Sequence, residues 1–346
     1  MALKKGEHIV WEAKEANSRD FCRPLSHTWS KETQEFMSRK TSELFAEIQD
    51  LKVTNLSYTG NTEVTNIHGI ESQKIESEVN HKVIPSMWDG KSLTNIANKA
   101  YSKKFPGKSL STQTCHLCLE SMKSFKLNFS PEIILTDTIQ FGIAVLHILL
   151  RVFEDIVKAA AKKFAKKFRQ EKKFAMAVFK ARFKKHRGMN MFEIKQGCGT
   201  TNDGNTARAF FKYPARSAQL LQIDECLIIE TKELISMISN QTEFICAEVF
   251  DKKAKMVWNL FNQEFNDCGK AMCTTFHRLV AHGSTFLNYA KEIGVPLGQL
   301  SESSIESVNS LNRTVRQFNT RKCGPTAQNL DLINHLIWRS DPLLNS

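Results

Sequence analysis

Cys115-His-Leu-Cys118 and, far downstream, His277-Arg-Leu-Val-Ala-His282 decide the reading of this chain, because together they supply two thiolates and two imidazoles. Zinc favours tetrahedral sulfur and nitrogen coordination. A Cys-x-x-Cys knuckle turns both sulfurs onto one ion, and two His at i and i+5 can supply the other half. In a zinc finger of the usual kind the two pairs lie about a dozen residues apart, so here an ion would join distant parts of one large domain. The same spacing also fits a redox pair or ordinary reduced thiols, with His277 and His282 standing singly on a helix.

Outward from these pairs, composition bounds the rest. The 346 residues can bury a substantial core, and 41% hydrophobic with 24% charged residues reads as globular. Nine cysteines form no even framework, and the start Met1-Ala-Leu-Lys-Lys-Gly-Glu-His8 has no apolar leader, so a reducing compartment is expected. The longest apolar stretch, 141–152, is interrupted by His147 and Arg151 and is too short to cross a bilayer; a buried helix is expected there. A net charge of +12 points to an acidic partner, nucleic acid first, or to a surface merely biased toward lysine.

Residues 1–30 read as irregular, 31–50 as a helix, and 51–58 and 80–87 as strands, the second ending at the Asp89-Gly90 turn. From Pro131 onward the periodicity is helical. Helices are expected over 136–153, 159–186, 220–239, 243–266, 270–292, 302–318 and 330–339. Between Lys158 and Arg187 thirteen Lys and Arg face a single acid, Glu171, with Phe164, Phe168, Phe179 and Phe183 interleaved. One face of such a helix can pack while Lys162, Lys163, Lys166 and Lys167 meet phosphate. A solvated charged face or an import signal is the alternative. In the stretch 199–208, Asn202, Asp203, Gly204 and Asn205 read as a capped helix start, whose backbone N–H groups with Arg208 could add a contact to DNA phosphate. Arg313, Arg316, Arg321 and Lys322 form a second basic group.

Two carboxylate positions carry potential chemistry. Asp89 ends a predicted strand, and Glu302 and Glu306 are four apart on one helix face. Carboxylates on a strand end and a facing helix can hold divalent ions that activate water at a phosphodiester.

The ordered series Met87-Trp-Asp-Gly-Lys91, Cys115-His-Leu-Cys118, Leu146-His147 with Arg151-Val-Phe153, Gly199-Thr-Thr-Asn-Asp-Gly-Asn-Thr-Ala-Arg208, Phe276-His277 through His282, and Leu300-Ser-Glu-Ser-Ser-Ile-Glu306-Ser-Val-Asn309 resembles the catalytic region of Transib-type DNA transposases. It is similar also to their relative, the catalytic subunit of the vertebrate V(D)J recombination-activating complex. The resemblance runs from about Phe21 to Pro342. It implies a DDE recombinase that cuts DNA ends and joins them by attack of a 3′-hydroxyl. By that resemblance Asp89 and Glu306 are catalytic, and Cys115, Cys118, His277 and His282 hold a structural Zn²⁺, while Mg²⁺ or Mn²⁺ serves catalysis. It further implies double-stranded DNA as partner, a homodimer, a nuclear location, and neither a membrane nor a small-molecule substrate.

By the same resemblance the expected fold is α/β and helix-rich, an incomplete RNase H-like core with a large zinc-closed helical insertion. Its divisions are 1–30, an irregular segment; 31–130, a partial core with the Cys pair; 131–298, the helical insertion with the basic helix and the His pair; and 299–346, a catalytic-type helix and tail. One departure from the family limits the enzyme. The first catalytic Asp has no counterpart before Phe21-Cys-Arg-Pro24, since Asp20 lacks both strand pattern and glycine. Two of three carboxylates cannot bridge two ions, so the isolated chain is expected not to cut DNA. The alternatives are a non-catalytic, transposon-derived zinc- and DNA-binding protein and, from a different class, a helical RNA-binding protein.

Overall fold

The computed structural model describes residues 2–5, 8–12, 33–61, 72–79, 93, 97–98, 101–107, 113–125, 127–195 and 199–339. Two compact units are present, Lys31–Pro85 and the remainder of the chain. In the larger unit β1 (Ala2–Lys5) pairs antiparallel with β2 (His8–Glu12), where an irregular segment is expected; the run Ile9-Val10-Trp11 supplies strand-forming side chains.

In the smaller unit α1 (Gln34–Gln49) begins at Thr33, whose Oγ1 accepts the Phe36 N–H at 3.2 Å. It is followed by β3 (Thr54–Asn61) and β4 (Ser72–Val79), an antiparallel ribbon in the register Thr54↔Val79 to Asn61↔Ser72. The expected strand over 80–87 lies outside the described residues.

The rest is helical. After a 3-10 turn at Thr136–Phe141 the chain breaks at Gly142, whose φ of 65° is open to glycine, and α2 (Val145–Lys167) follows. Its inward side chains Ile148, Val152, Phe153, Ile156 and Val157 are fully buried, and the small run Ala159–Ala161 lets neighbouring helices approach closely. The basic helix expected over 159–186 is two helices. The chain turns at Phe168 to Gln170, with Arg169 at φ 50°, and α3 (Lys172–Arg187) packs back on α2. The turn lets Phe179 and Phe183 reach the core that Phe153 and Phe210 share. A continuous helix would carry them into solvent.

The short ribbon β5 (Ile194–Lys195) and β6 (Gly199–Thr200) leads into α4 (Gly204–Lys212), α5 (Pro214–Leu221) and α6 (Glu225–Ile238). The single helix expected over 220–239 is interrupted at Gln222, which is left-handed, and restarts under the Asp224 cap. Then come α7 (Ala247–Phe265), α8 (Thr274–Ile293), α9 (Ser303–Phe318) and α10 (Pro325–Arg339). Helix α2 is central, packed against α3 to α8. Helices α7 and α8 meet where Gly283 lies under the Phe250 ring, and a Cβ there would stand 2.4 Å from it. Helices α9 and α10 close a small second cluster of Val308, Val315, Leu332 and Leu336.

The α/β expectation is therefore overturned. Described β-structure is confined to three two-stranded antiparallel ribbons, whereas an RNase H-like core needs a sheet that carries helices on its face. The cause is legible in β4, Ser-Gln-Lys-Ile-Glu-Ser-Glu-Val, which has too few apolar residues to share a core. The larger core is built from helices and the loop around the Cys pair.

Candidate metal centre

A tight knuckle presents the two cysteines. Thr114 bridges Ser121, the Cys115 N–H donates to the Glu120 carbonyl at 2.8 Å, and the Leu119 N–H donates to the Cys115 carbonyl at 2.9 Å. Leu119 holds φ at 59°, a left-handed conformation a leucine adopts only under constraint. The knuckle is tied down in turn, because the Leu117 carbonyl accepts the N–H groups of Ile134 and Leu135.

The two imidazoles come from the first half of α8. Buried Asp155 of α2 fixes the start of that helix by accepting the Cys273 N–H at 2.7 Å and Lys270 Nζ at 2.6 Å. Sequence reading missed this anchor, although one acid on an otherwise apolar helix face was the available signal. Phe125 stacks on His277 with ring centroids 3.7 Å apart and planes within 4°, and the Phe125 carbonyl accepts Trp258 Nε1–H at 3.0 Å.

The four expected ligands converge. Cys115, Cys118, His277 and His282 are all buried, and their ligand atoms lie within 4.8 Å of one another. Cys118 Sγ and His277 Nε2 are 3.4 Å apart, and the two imidazoles stand at 87°. Zinc–sulfur bonds of about 2.3 Å and zinc–nitrogen bonds of about 2.0 Å give tetrahedral edges of roughly 3.3–3.8 Å. The cluster can bind a metal ion such as zinc with small adjustments, and His282 Nε2, buried with no hydrogen-bond partner, is a donor atom in need of one.

Protonation at Cys115 and His277 suits a cation, whereas Cys118 holds a proton that a metal would have to displace. Burial pushes the Cys115 thiol up, but hydrogen bonds from Cys118, His277 and His282 outweigh it and hold the group well below its usual range. Cys118 is pushed up by its hydrogen bond to Cys115 and by burial. Burial lowers His277 against the pull of Cys115, keeping the imidazole neutral. Neighbouring His116 is held down to about 3, by burial first and by the Arg278 cation second.

The carboxylates behave differently. Asp89 lies outside the described residues. Glu306 is exposed in the first turn of α9, whereas Glu302 is buried. Glu302 Oε1 accepts the His147 backbone N–H at 2.8 Å and lies 2.9 Å from His147 Nδ1, bonding the start of α9 to the first turn of α2. That turn leaves orphan N–H groups, so a carboxylate suits it. Among the described residues the Cys/His cluster is the only group of three or more side chains arranged to hold a metal.

The basic residues divide in two. Lys163 pairs with Glu264 at 2.6 Å, Lys162 donates to the Gly269 carbonyl at 3.4 Å, and Lys166 donates to the Asp267 carbonyl, so these three cover the C-terminal end of α7. Lys167, Arg169, Lys172, Lys173, Lys184 and Lys185 are exposed, without an ion pair among the described residues. Asp203 caps α4 by accepting the Thr206 N–H at 2.8 Å, as expected, and Asn202 ties the loop to Glu154 at 2.9 Å. Arg208 is exposed beside Asn205. Of the second basic group, Arg316 bonds Asn329, Arg321 grips Asp331 at 2.8 Å, and Arg313 is exposed. No described helix is long and apolar enough to cross a membrane.

No protein-family model and no curated protein matches the chain.

Proposed function

We propose that the chain is a zinc-stapled helical domain that binds double-stranded DNA in the nucleus, a non-catalytic descendant of a DDE transposase. The observation that carries this reading is the buried Cys2His2 cluster, whose halves are 159 residues apart in sequence, in the same core as the α2–α3 hairpin. Zinc is the favoured ion because the donors are two sulfurs and two nitrogens with no carboxylate among them. Four protein ligands fill a tetrahedron and leave no position for substrate, so the ion's role is structural.

The outward cations at the α2–α3 turn and at the end of α3 supply the phosphate contacts, in place of Lys162, Lys163 and Lys166, which bond within the protein. The experiment is anisotropy of a labelled duplex across salt concentrations. Replacing Lys172, Lys173, Lys184 and Lys185 with Gln should lower the slope of log K against log salt by about 0.9 for each lost contact. Lys163→Gln should leave the slope as it was. An unchanged slope in the fourfold variant, or stronger competition by RNA than by duplex DNA, refutes the reading.

One observation favours a second reading. Glu306 is exposed one turn beyond the anchored Glu302 and so is open to a divalent ion from solvent. In that reading the chain is part of a DDE recombinase and Asp89 is a partner carboxylate. Manganese-dependent nicking of plasmid DNA, abolished by Glu306→Gln, would establish it; absence of nicking leaves the binding domain.

A further inference from the structure

The C-terminal end of α3 is tied to the corner between α4 and α5, and an exposed aromatic ring stands where they meet. Arg187, in the last turn of α3, donates from Nη1 to Ser217 Oγ of α5 at 2.8 Å and from Nη2 to the Ala209 carbonyl of α4. Tyr213, the residue between α4 and α5, is 54% exposed. The Arg187 guanidinium lies 5.1 Å from the centre of its ring, and Lys212 Nζ lies 5.4 Å from it. The backbone beneath the ring is held as well. The Tyr213 carbonyl accepts the Ser217 N–H at 3.0 Å, and the following Pro214 keeps the residue out of the helical region.

The surroundings are cationic. Lys212 and Arg216 are exposed, as are Lys184 and Lys185 in the last turn of α3, and Arg216 Nη2 lies 3.3 Å from His186 Nδ1. Neither segment that builds the corner, 172–190 or 204–223, contains an Asp or a Glu. Such a surface attracts phosphate, but phosphate alone gives the ring nothing to do. An open aromatic face among cations is the arrangement on which a nucleobase stacks while the cations take up its backbone. In a duplex each base is covered by its neighbours, so a ring on a protein surface reaches a base face only where a strand is unpaired.

We propose that Tyr213 stacks on an unpaired base, and that the DNA this chain prefers is a duplex carrying a single-stranded extension. Lys212, beside the ring, and Arg216, three residues on, meet the phosphates of that strand. The paired part of the ligand rests on the DNA reading above; the unpaired part rests on Tyr213.

The test is anisotropy of the zinc-loaded full chain with two labelled duplexes that end in the same short extension, one of thymines and one abasic, so that charge is equal and only the bases are lost. The thymine extension is expected to bind at least about fivefold more tightly, and Tyr213→Ala to bring the two affinities within about twofold of each other. Tyr213→Trp, which keeps a flat ring, should preserve the difference. Equal affinity for the two extensions in the unaltered chain, or an undiminished difference in Tyr213→Ala, overturns the stack. Should Tyr213→Ala not fold, light-induced crosslinking of the unaltered chain to an extension bearing 5-iodouracil decides instead: attachment at Tyr213 supports the stack, and attachment confined to other residues overturns it. Duplex binding that is indifferent to the extension refutes the stack and leaves the DNA reading standing. Tyr213-dependent binding of the free single strand by a chain that ignores blunt duplex supports the stack and refutes the duplex reading. Binding of neither refutes both.

Discussion

Gly283→Ala should destabilise the protein even though alanine is the better helix former, because the Phe250 ring of α7 occupies the place a Cβ on α8 would take. A Cβ built there stands 2.4 Å from Cε1 and 2.5 Å from Cζ of Phe250, a ring with no exposed surface. Carbon atoms rest at about 3.5–4.0 Å, so the ring or the helix pair must give by about 1 Å. Overpacking of this kind costs about 1–3 kcal/mol, and the helical preference for alanine over glycine returns about 1 kcal/mol. A net loss of up to about 2 kcal/mol is expected, toward the upper end because the clash is with a fully buried ring. Because His282 is the adjacent residue, the strain should also speed loss of metal to a chelator. Urea unfolding of the metal-loaded chain measures the first effect, and a double-mutant cycle with Phe250→Leu assigns its cause. Once the ring has been removed by Phe250→Leu, the alanine should cost nothing. A neutral Gly283→Ala in the parent chain, or a cost unchanged by Phe250→Leu, would refute the close-crossing argument.

Two further perturbations probe the supports of the site. Glu154 is pushed up by burial, but the Asn202 hydrogen bond, Lys158 and Arg151 outweigh this and hold its carboxyl below the usual range. Its contribution is therefore present above the unfolded value of about 4.3 and disappears as pH falls through the folded one. Glu154→Gln should cost about 1 kcal/mol at pH 7 and progressively less below pH 4; a cost independent of pH would contradict this. Trp258→Phe removes the 3.0 Å hydrogen bond to the carbonyl of Phe125, the residue stacked on His277. It should lower stability by about 1–2 kcal/mol and hasten metal release, which competition with a chromophoric chelator would follow. Unchanged release kinetics would remove Phe125 from any role in holding the site.

The four side chains of the Cys/His cluster were legible because their chemistry is local to two short motifs and needs no knowledge of what lies between them. Helices α7 to α9 were legible from periodicity alone. The break in the basic segment was not, because it rests on Arg169 adopting a left-handed conformation that its side chain does not announce. The sheet was expected from resemblance and from strand patterns at 51–58 and 80–87, yet among the described residues β3 pairs with the polar β4 alone. Lys162 and Lys166 read as free cations because sequence cannot say that the carbonyls of Asp267 and Gly269 lie beneath them. The pairing of Glu302 with His147 was hidden for the same reason, since it joins residues 155 apart.

The central claim is that one ion joins the knuckle at 115–118 to helix α8. Closing a loop of 159 residues should contribute on the order of 5 kcal/mol, by the same chain-entropy argument that applies to a covalent cross-link. Elemental analysis of the purified chain, followed by unfolding with and without a chelator, measures this directly. One equivalent of zinc, lost together with most of the stability on chelation and absent from Cys118→Ser and His282→Ala, is the predicted result. A stably folded chain that contains no metal, and whose unfolding is indifferent to chelator, would contradict the account.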